Sequence, residues 1–352
     1  MYVPILKNRS VEMNIINDFT TNRLWGSKII PLLELVQEKV KTNAKETTIG
    51  DLKSLLTSYR QTIFIDFYHS TKINNTQATI KDYLSKINRQ PEFHIVEFQK
   101  LVSVSQYVIP VISYLSELPI TDIQSQIKTD VAQLRNSFST LAFRIQSSNF
   151  EELSGLLESL LRKQDYLLLD LGHAPYSNPV FNMLWKKLAN LKKEKNTTII
   201  ILNDNRPENL YNKNMKDQQP IPEIDNGLRD FYKFKNFDGF GDYAGITSVL
   251  PSTGGSISPA GVFYSKKENC FISFKGEAYK LSEFPEHIAP NIAKSLYWKE
   301  FSDLHHSTCP GCKKILQILD PNDKYTGKSQ AIWKGITISH YIYSIKEFMD
   351  ES

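Results

Sequence analysis

Residues Tyr166–Leu202 read YLLLDLGHAPYSNPVFNMLWKKLANLKKEKNTTIIIL. Two apolar, β-rich runs, Tyr166–Leu171 and Thr198–Leu202, bracket a segment of helical periodicity. Asn178 followed by Pro179 marks a helix start, because the amide side chain can cap free backbone N–H groups and the proline ring already holds a helical φ. Beyond it Val180, Leu184, Leu188 and Leu191 fall on one stripe, and Lys186, Lys187, Lys192, Lys193 and Lys195 read as a solvated face, with a nucleic-acid patch as the alternative. Strand, helix and strand in this order form one crossover unit of a parallel sheet.

The same alternation continues outward in both directions. Val3–Leu6, Ile29–Leu35, Thr62–Phe67, Val108–Ser113 and Thr140–Ile145 precede the unit, and a weaker run, Tyr243–Ile246, follows it. These runs are almost continuously apolar, which suits strands covered on both faces. Ile123, Ile127, Val131 and Leu134 predict a helix with Thr121 as its N-cap, while Phe93–Val104 fits either a strand or a helix. Eight β/α units in about 250 residues predict an α/β fold, a TIM-like β/α barrel, with a doubly wound open sheet as the alternative. After Gly245 the texture changes. Pro251, Gly254, Gly255, Pro259 and Gly261 punctuate a loop, Val262–Tyr264 and Cys270–Phe274 read as a hairpin, and helices are expected over 285–301 and 329–348 around a cysteine-containing loop. The expected organisation is a barrel over 1–250 and a C-terminal α+β appendage over 251–352.

Barrel enzymes carry their chemistry at the C-terminal ends of the strands. The first polar residues there are Lys7, Glu34, Asp66, Tyr114, Arg144, Asp170 and Asp204, with Asp242 just before the last run. Each alone equally fits the polar start of a loop. Together they predict a pocket in which Glu34, Asp66 and Asp170 are candidate catalytic carboxylates around a divalent metal, and Lys7, Arg9, Arg144 and Asp242 are candidate ligand contacts. The bland reading of Lys7-Asn8-Arg9 is a solvated helix start with Glu12 on the positive end of the dipole. Asp170 and His173 offer an acid/base pair, although a continuing strand would point them to opposite faces. Asp238–Gly245 has glycine spacing near a dinucleotide fingerprint, but its third glycine falls one residue late, so it reads as a turn carrying Asp242 into the rim.

A second cluster is His305-His306-Ser307-Thr308-Cys309-Pro310-Gly311-Cys312. Cys-x-x-Cys spacing places two thiolates on one side of a turn, so His305 (or His306), Cys309 and Cys312 are candidate ligands of a structural zinc, with His340 or Cys270 completing it. Reduced structural thiols and a redox dithiol are the competing readings, and His340 also lies on an apolar stripe with Trp333, Ile336 and Tyr343.

Composition narrows the classes further. With 42 basic against 38 acidic residues the net charge is +4, too small for binding nucleic acid or membranes by field alone. Three cysteines make no disulfide framework and suit a reducing compartment. There is no signal-peptide pattern and no run of about 18 apolar residues, so a cytoplasmic location without membrane contact is expected. No Walker loop, nucleophile elbow or His-Glu-x-x-His occurs.

Several of these stretches together carry a resemblance: Met1–Arg9 with Glu12, Ile30-Pro31-Leu32 with Glu34, Phe64-Ile65-Asp66, Asp170-Leu171-Gly172, Gly241–Gly245, and Cys309–Cys312 with Thr326-Gly327, Trp333 and His340. The chain resembles the bacterial and phage "beta protein" family over nearly its whole length. Ser339-His340 stands where that family usually has paired histidines. The resemblance implies a setting in phage defence, with a nuclease or other defence protein as partner, and attaches no reaction. Two functions are therefore expected. The first is a defence-associated recognition or accessory protein that binds a phosphorylated ligand or nucleic-acid end at the barrel mouth. The alternative is a metal-dependent phosphodiester hydrolase.

Overall fold

The structure, a computed structural model, describes residues 1–38, 47–71, 77–250 and 258–351. Its centre is a closed barrel of eight parallel strands. They are β1 (Tyr2–Lys7), β2 (Leu32–Leu35), β3 (Ile63–Phe67), β4 (Val108–Ile112), β5 (Ala142–Gln146), β6 (Tyr166–Asp170), β7 (Thr198–Leu202) and, past a two-residue strand β8 (Gln219–Pro220) that lies elsewhere, β9 (Gly239–Asp242). β9 pairs with both β7 and β1, which closes the sheet and excludes the open alternative. Seven barrel strands lie in the expected apolar runs because both of their faces are covered.

The eighth does not. Its strand is Gly239–Asp242, four residues ahead of the expected run, and the chain turns away at Ala244 and Gly245, whose φ angles are +51° and +76°. Glycines hid it. A Cβ on Gly239 would stand 2.4 Å from the Met1 carbonyl oxygen, and one on Gly241 would stand 2.5 Å from that of Val3. The strand closes the barrel at a spacing that only glycine permits, and glycine weakens any strand signal.

Phe93–Gln99 is a helix, followed by a 3₁₀ turn over Val102–Tyr107. Helix Ile120–Leu134 buries Ile123, Ile127, Val131 and Leu134 as expected, but Pro119 precedes it, and Thr121 lies inside its first turn and caps nothing. Asn178 does cap, accepting from Val180 N at 3.1 Å. The helix that follows, Asn182–Lys195, buries Trp185, Leu188 and Leu191, while Val180 is exposed.

In the C-terminal part, β10 (Ala260–Ser265) and β11 (Cys270–Lys275) form the antiparallel hairpin, and β8 extends it. Pro251, Gly254 and Gly255 lie outside the described residues. The cysteine loop is helical instead: Cys309 is the residue before Pro310–Leu319 and Cys312 sits in its first turn, because Pro310 at the first position starts a helix. The last helix, Gln330–Glu351, lies between hairpin and barrel. Thr337 donates to Val262 O at 2.8 Å on one side, and Lys334 reaches Glu12 of the first barrel helix, Ser10–Thr21, at 2.7 Å on the other. Glu12 is thus a buried ion-pair partner as well as a first-turn acid. Among the described residues no helix is long and apolar enough to cross a membrane.

Candidate functional site

Lys7, Glu34 and Asp66 are paired positions on β1, β2 and β3, so the sheet register sets three charged side chains at one level. Arg144, from β5, reaches into their midst. Its Nη1 donates to Glu34 Oε1 and Asp66 Oδ2, both at 2.8 Å, and its Nε donates to Asp170 Oδ2 at 2.8 Å. Nη2 lies 2.7 Å from Asp170 Oδ2 and donates to the Tyr243 hydroxyl at 3.2 Å. Tyr243 in turn donates to Glu34 Oε1 at 2.8 Å, and Ser113 donates to Asp66. The guanidinium thus donates four hydrogen bonds, and the ion-pair contact of Nη2 with Asp170 completes its surroundings, as burial of a full charge requires. The structure thus brings Lys7, Glu34, Asp66, Arg144 and Asp170 together, but leaves Arg144 no free donor for a ligand.

Lys7 differs. Its buried ammonium lies 3.2 Å from Glu34 Oε2 and 4.4 Å from the centre of the Tyr243 ring, yet makes no well-directed hydrogen bond. Burial alone would raise the Glu34 carboxyl, but the charges of Lys7 and Arg144 hold it below the usual range. At Asp66 burial prevails over Arg144 and Ser113, and the pKa is raised. Arg9 lies just before the helix Ser10–Thr21, half-buried, and its guanidinium has no hydrogen-bond or ion-pair partner among the described residues.

Asp242 is not part of this mouth. Successive strand residues face opposite sides, so Tyr243 enters the barrel while Asp242 points outward with Phe240. There Asp242 accepts from Tyr2 OH, Tyr341 OH and Ala244 N, each at 2.8 Å. A buried carboxylate with three donors is saturated, so the expectation of a ligand contact is corrected to a structural tie. Burial still lifts its pKa to about 6.

The second cluster assembles completely. His305, Cys309, Cys312 and His340 are buried, with one ligand atom from each within 4.8 Å of all the others. His340 Nδ1 lies 3.4 Å from His305 Nε2, 3.5 Å from Cys312 Sγ and 3.8 Å from Cys309 Sγ. The outward nitrogens are also occupied: His340 Nε2 donates to Tyr264 O at 3.0 Å, and His305 Nδ1 meets Glu347 Oε2 at 2.8 Å. These partners leave the remaining nitrogens pointing inward. Without a metal, burial acts downward on His305, but its hydrogen bonds to Cys309 and Glu347 prevail and raise its pKa to about 9. A bound cation would take up the inward lone pairs in place of the proton. Burial pushes the Cys312 thiol up, as does the neighbouring Cys309. At Cys309 burial also acts upward, but hydrogen bonds from Cys312, His305 and His340 outweigh it and bring the thiol well below its ordinary value. Only one thiolate is favoured there without a cation. The group could hold a metal. His306 is excluded from it, since its ring stacks on Trp298 and meets Trp298 O at 3.2 Å, and Cys270 lies half-buried at the start of β11.

With both clusters in place, the sequence profile described as "Beta protein" matches residues 2–346. The chain belongs to the Beta protein family. A search of curated proteins finds no significant match to this Beta protein family member. Among solved structures it is similar to a family 18 chitinase from Crocus vernus, at 12% identity over 68% of this chain and 91% of that one, with a TM-score of 0.39. A likeness that low carries no argument.

Sequence reasoning missed part of the mouth of this family member. Tyr243 was read as strand, not as a hydroxyl bridging Glu34 and Arg144. His173 pairs not with Asp170 but with Asp204 across the strand ends, where His173 Nε2 lies 3.2 Å from Asp204 Oδ2 and 3.5 Å from Glu208 Oε1. A histidine three residues past β6 and an acid two residues past β7 was the available signal.

Proposed function

We propose that the protein is a recognition protein whose barrel mouth binds a phosphorylated ligand or nucleic-acid end. The observation that carries this reading is the saturated Arg144: the guanidinium fills the centre of Glu34, Asp66 and Asp170, where a catalytic divalent metal would need open carboxylate oxygens. The carboxylates thus serve as a floor that fixes Arg144 and Tyr243. Anion contact falls to Lys7, whose ammonium is buried with donors to spare, and to Arg9 beside it, which has no partner among the described residues. A nuclease or other defence protein as partner rests on the family resemblance alone.

The test uses a 5′-phosphorylated oligonucleotide and its unphosphorylated counterpart. Wild type should bind the phosphorylated form more tightly, and Lys7→Met should remove most of that difference, about tenfold or more for a charge-assisted contact. Divalent-metal-dependent cleavage by wild type that is lost in Asp66→Asn would overturn the reading in favour of the hydrolase.

For the His305, Cys309, Cys312 and His340 group we propose structural zinc. A tetrahedral ion with Zn–S of about 2.3 Å and Zn–N of about 2.0–2.1 Å has edges of about 3.4 Å between nitrogens and about 3.6 Å between nitrogen and sulfur. The distances around His340 Nδ1, 3.4, 3.5 and 3.8 Å, lie close to these. Four protein ligands leave no open position, which favours a structural role. None of the three cysteines is in a disulfide, which agrees with the reducing, cytoplasmic location we propose.

A further inference from the structure

A cavity of about 380 Å³ opens beside the mouth, at the ends of β6 and β7. Its wall combines several acceptors with the apolar surfaces of Ala174, Pro175 and Pro207. Asp204, Glu208, Glu223 and Asp225 supply carboxylates, Asn205 supplies an amide, and His173 and Tyr176 supply rings. Two of these residues are buried and unsatisfied. Asn205 Oδ1 has no hydrogen-bond partner, since that side chain spends its donor on Asn226 at 2.7 Å. Ser248 and the Arg206 amide lie close to Asp204, but neither of its carboxylate oxygens has a well-directed hydrogen-bond donor. His173 Nδ1 meets the Asp204 backbone carbonyl at 3.1 Å, and its Nε2 lies 3.2 Å from Asp204 Oδ2, an ion-pair contact and not a directed hydrogen bond. Buried acceptors without donors are costly, and in a cavity they ask for a ligand that donates.

We infer that this cavity binds the ammonium or guanidinium group of an organic cation. Four carboxylates around one imidazole favour positive charge over a neutral polyol. A bare metal ion fits less well. Metal ligands must converge within short bonds, and among the described residues only the His305 group brings three or more such donors within 4.8 Å of one another. A guanidinium or ammonium instead spreads several N–H groups over acceptors spaced about 3 Å from it. The volume falls within the range of small-molecule sites. Lys7 stands near enough for its charge to act on Asp204. The inference therefore deepens the mouth reading by naming a second group of the ligand, and rests on it only in assigning both groups to one molecule.

Agmatine, which carries a guanidinium and an ammonium but no phosphate, is the probe, titrated calorimetrically into the full chain. Wild type should bind it saturably. Asp204→Asn should weaken binding about tenfold, the scale of a lost charge-assisted hydrogen bond. Glu223→Gln, at an exposed position on the cavity wall, should weaken it a few-fold and keeps the test alive if Asp204→Asn folds poorly. Equal affinity in wild type and both variants, absence of saturable binding, or displacement of agmatine by stoichiometric Mn²⁺ would each overturn the assignment. Failure of the phosphorylated oligonucleotide to bind, with agmatine binding retained, would sink the mouth reading alone.

Discussion

The Tyr341 hydroxyl donates to Asp242 Oδ2 at 2.8 Å, across the seam between the last helix and the barrel. One residue earlier on that helix, His340 belongs to the cysteine–histidine group. One residue after Asp242, Tyr243 enters the mouth and bridges Glu34 and Arg144. The other oxygen of Asp242 holds Tyr2 of β1 and the Ala244 amide, where the backbone adopts a left-handed conformation. A single buried carboxylate thus fastens the C-terminal helix, the closing strand and the turn that aims Tyr243.

Removing the Tyr341 hydroxyl should therefore destabilise the fold through a contact to a buried charge. Tyr341→Phe is expected to cost about 1.5–3 kcal/mol in urea melts, the range for hydrogen bonds to charged groups. Tyr2→Phe should cost a similar amount, and the double variant less than the sum, since both serve one carboxylate. A loss below about 0.5 kcal/mol in both would contradict the tie.

Asp242 also predicts a pH signature. Its carboxyl rises from 3.8 to about 6 on folding, because burial outweighs the three donors. Between those values the folded chain holds the proton more tightly than the unfolded chain, so this group's contribution to stability falls as pH rises from about 4 to about 6. Two pKa units correspond to about 3 kcal/mol. Other carboxylates titrate in the same window, so the comparison is wild type against Asp242→Asn. The stability difference should move in the variant's favour over that window and stay flat above pH 7. A flat difference throughout would refute it.

The metal group gives a separate expectation. Protein purified without chelator should contain about one zinc per chain, and Cys309→Ser should lose the metal and melt at lower temperature in parallel. Glu347→Gln changes no ligand but weakens the partner of His305 Nδ1, and should reduce zinc affinity about 10–100-fold. Metal-free wild type with the same melting temperature as Cys309→Ser would exclude the site.

Legibility from sequence followed the physics of each element. Strands covered on both faces announce themselves as apolar runs, which is why β1 to β7 could be placed. β9 could not, because Gly239 and Gly241 stand where a Cβ would meet the β1 backbone and carry no hydropathy signal. Lys7, Glu34, Asp66, Arg144 and Asp170 were found as strand-end residues, since barrel topology brings all such ends to one rim. Their mutual pairing was invisible, because the side a residue faces depends on register, and a shift of one residue sends Asp242 outward and Tyr243 inward. His305, Cys309, Cys312 and His340 were readable because Cys-x-x-Cys spacing is local. Choosing His340 over Cys270 required the packing of the last helix on the hairpin.

Arg144 is the most exacting position in the mouth. Arg144→Leu would leave Glu34, Asp66 and Asp170 facing one another without their shared cation. Breaking a buried pair in this way costs about 3–5 kcal/mol, because the surviving charges stay desolvated. Arg144→Lys should recover only part of that, since a compact ammonium has three N–H groups for the four acceptors that the fork now serves. Without the guanidinium, whose charge acts downward on both, the Glu34 and Asp66 carboxyls should bind protons more readily in the folded state, so the penalty should be largest near pH 7 and shrink toward pH 5. Adding Asp66→Asn to Arg144→Leu should restore part of the stability at pH 7 and little at pH 5. Urea melts of the four proteins at both values check this, and a cost of Arg144→Leu below about 1 kcal/mol at pH 7 would show that the carboxylates do not depend on Arg144.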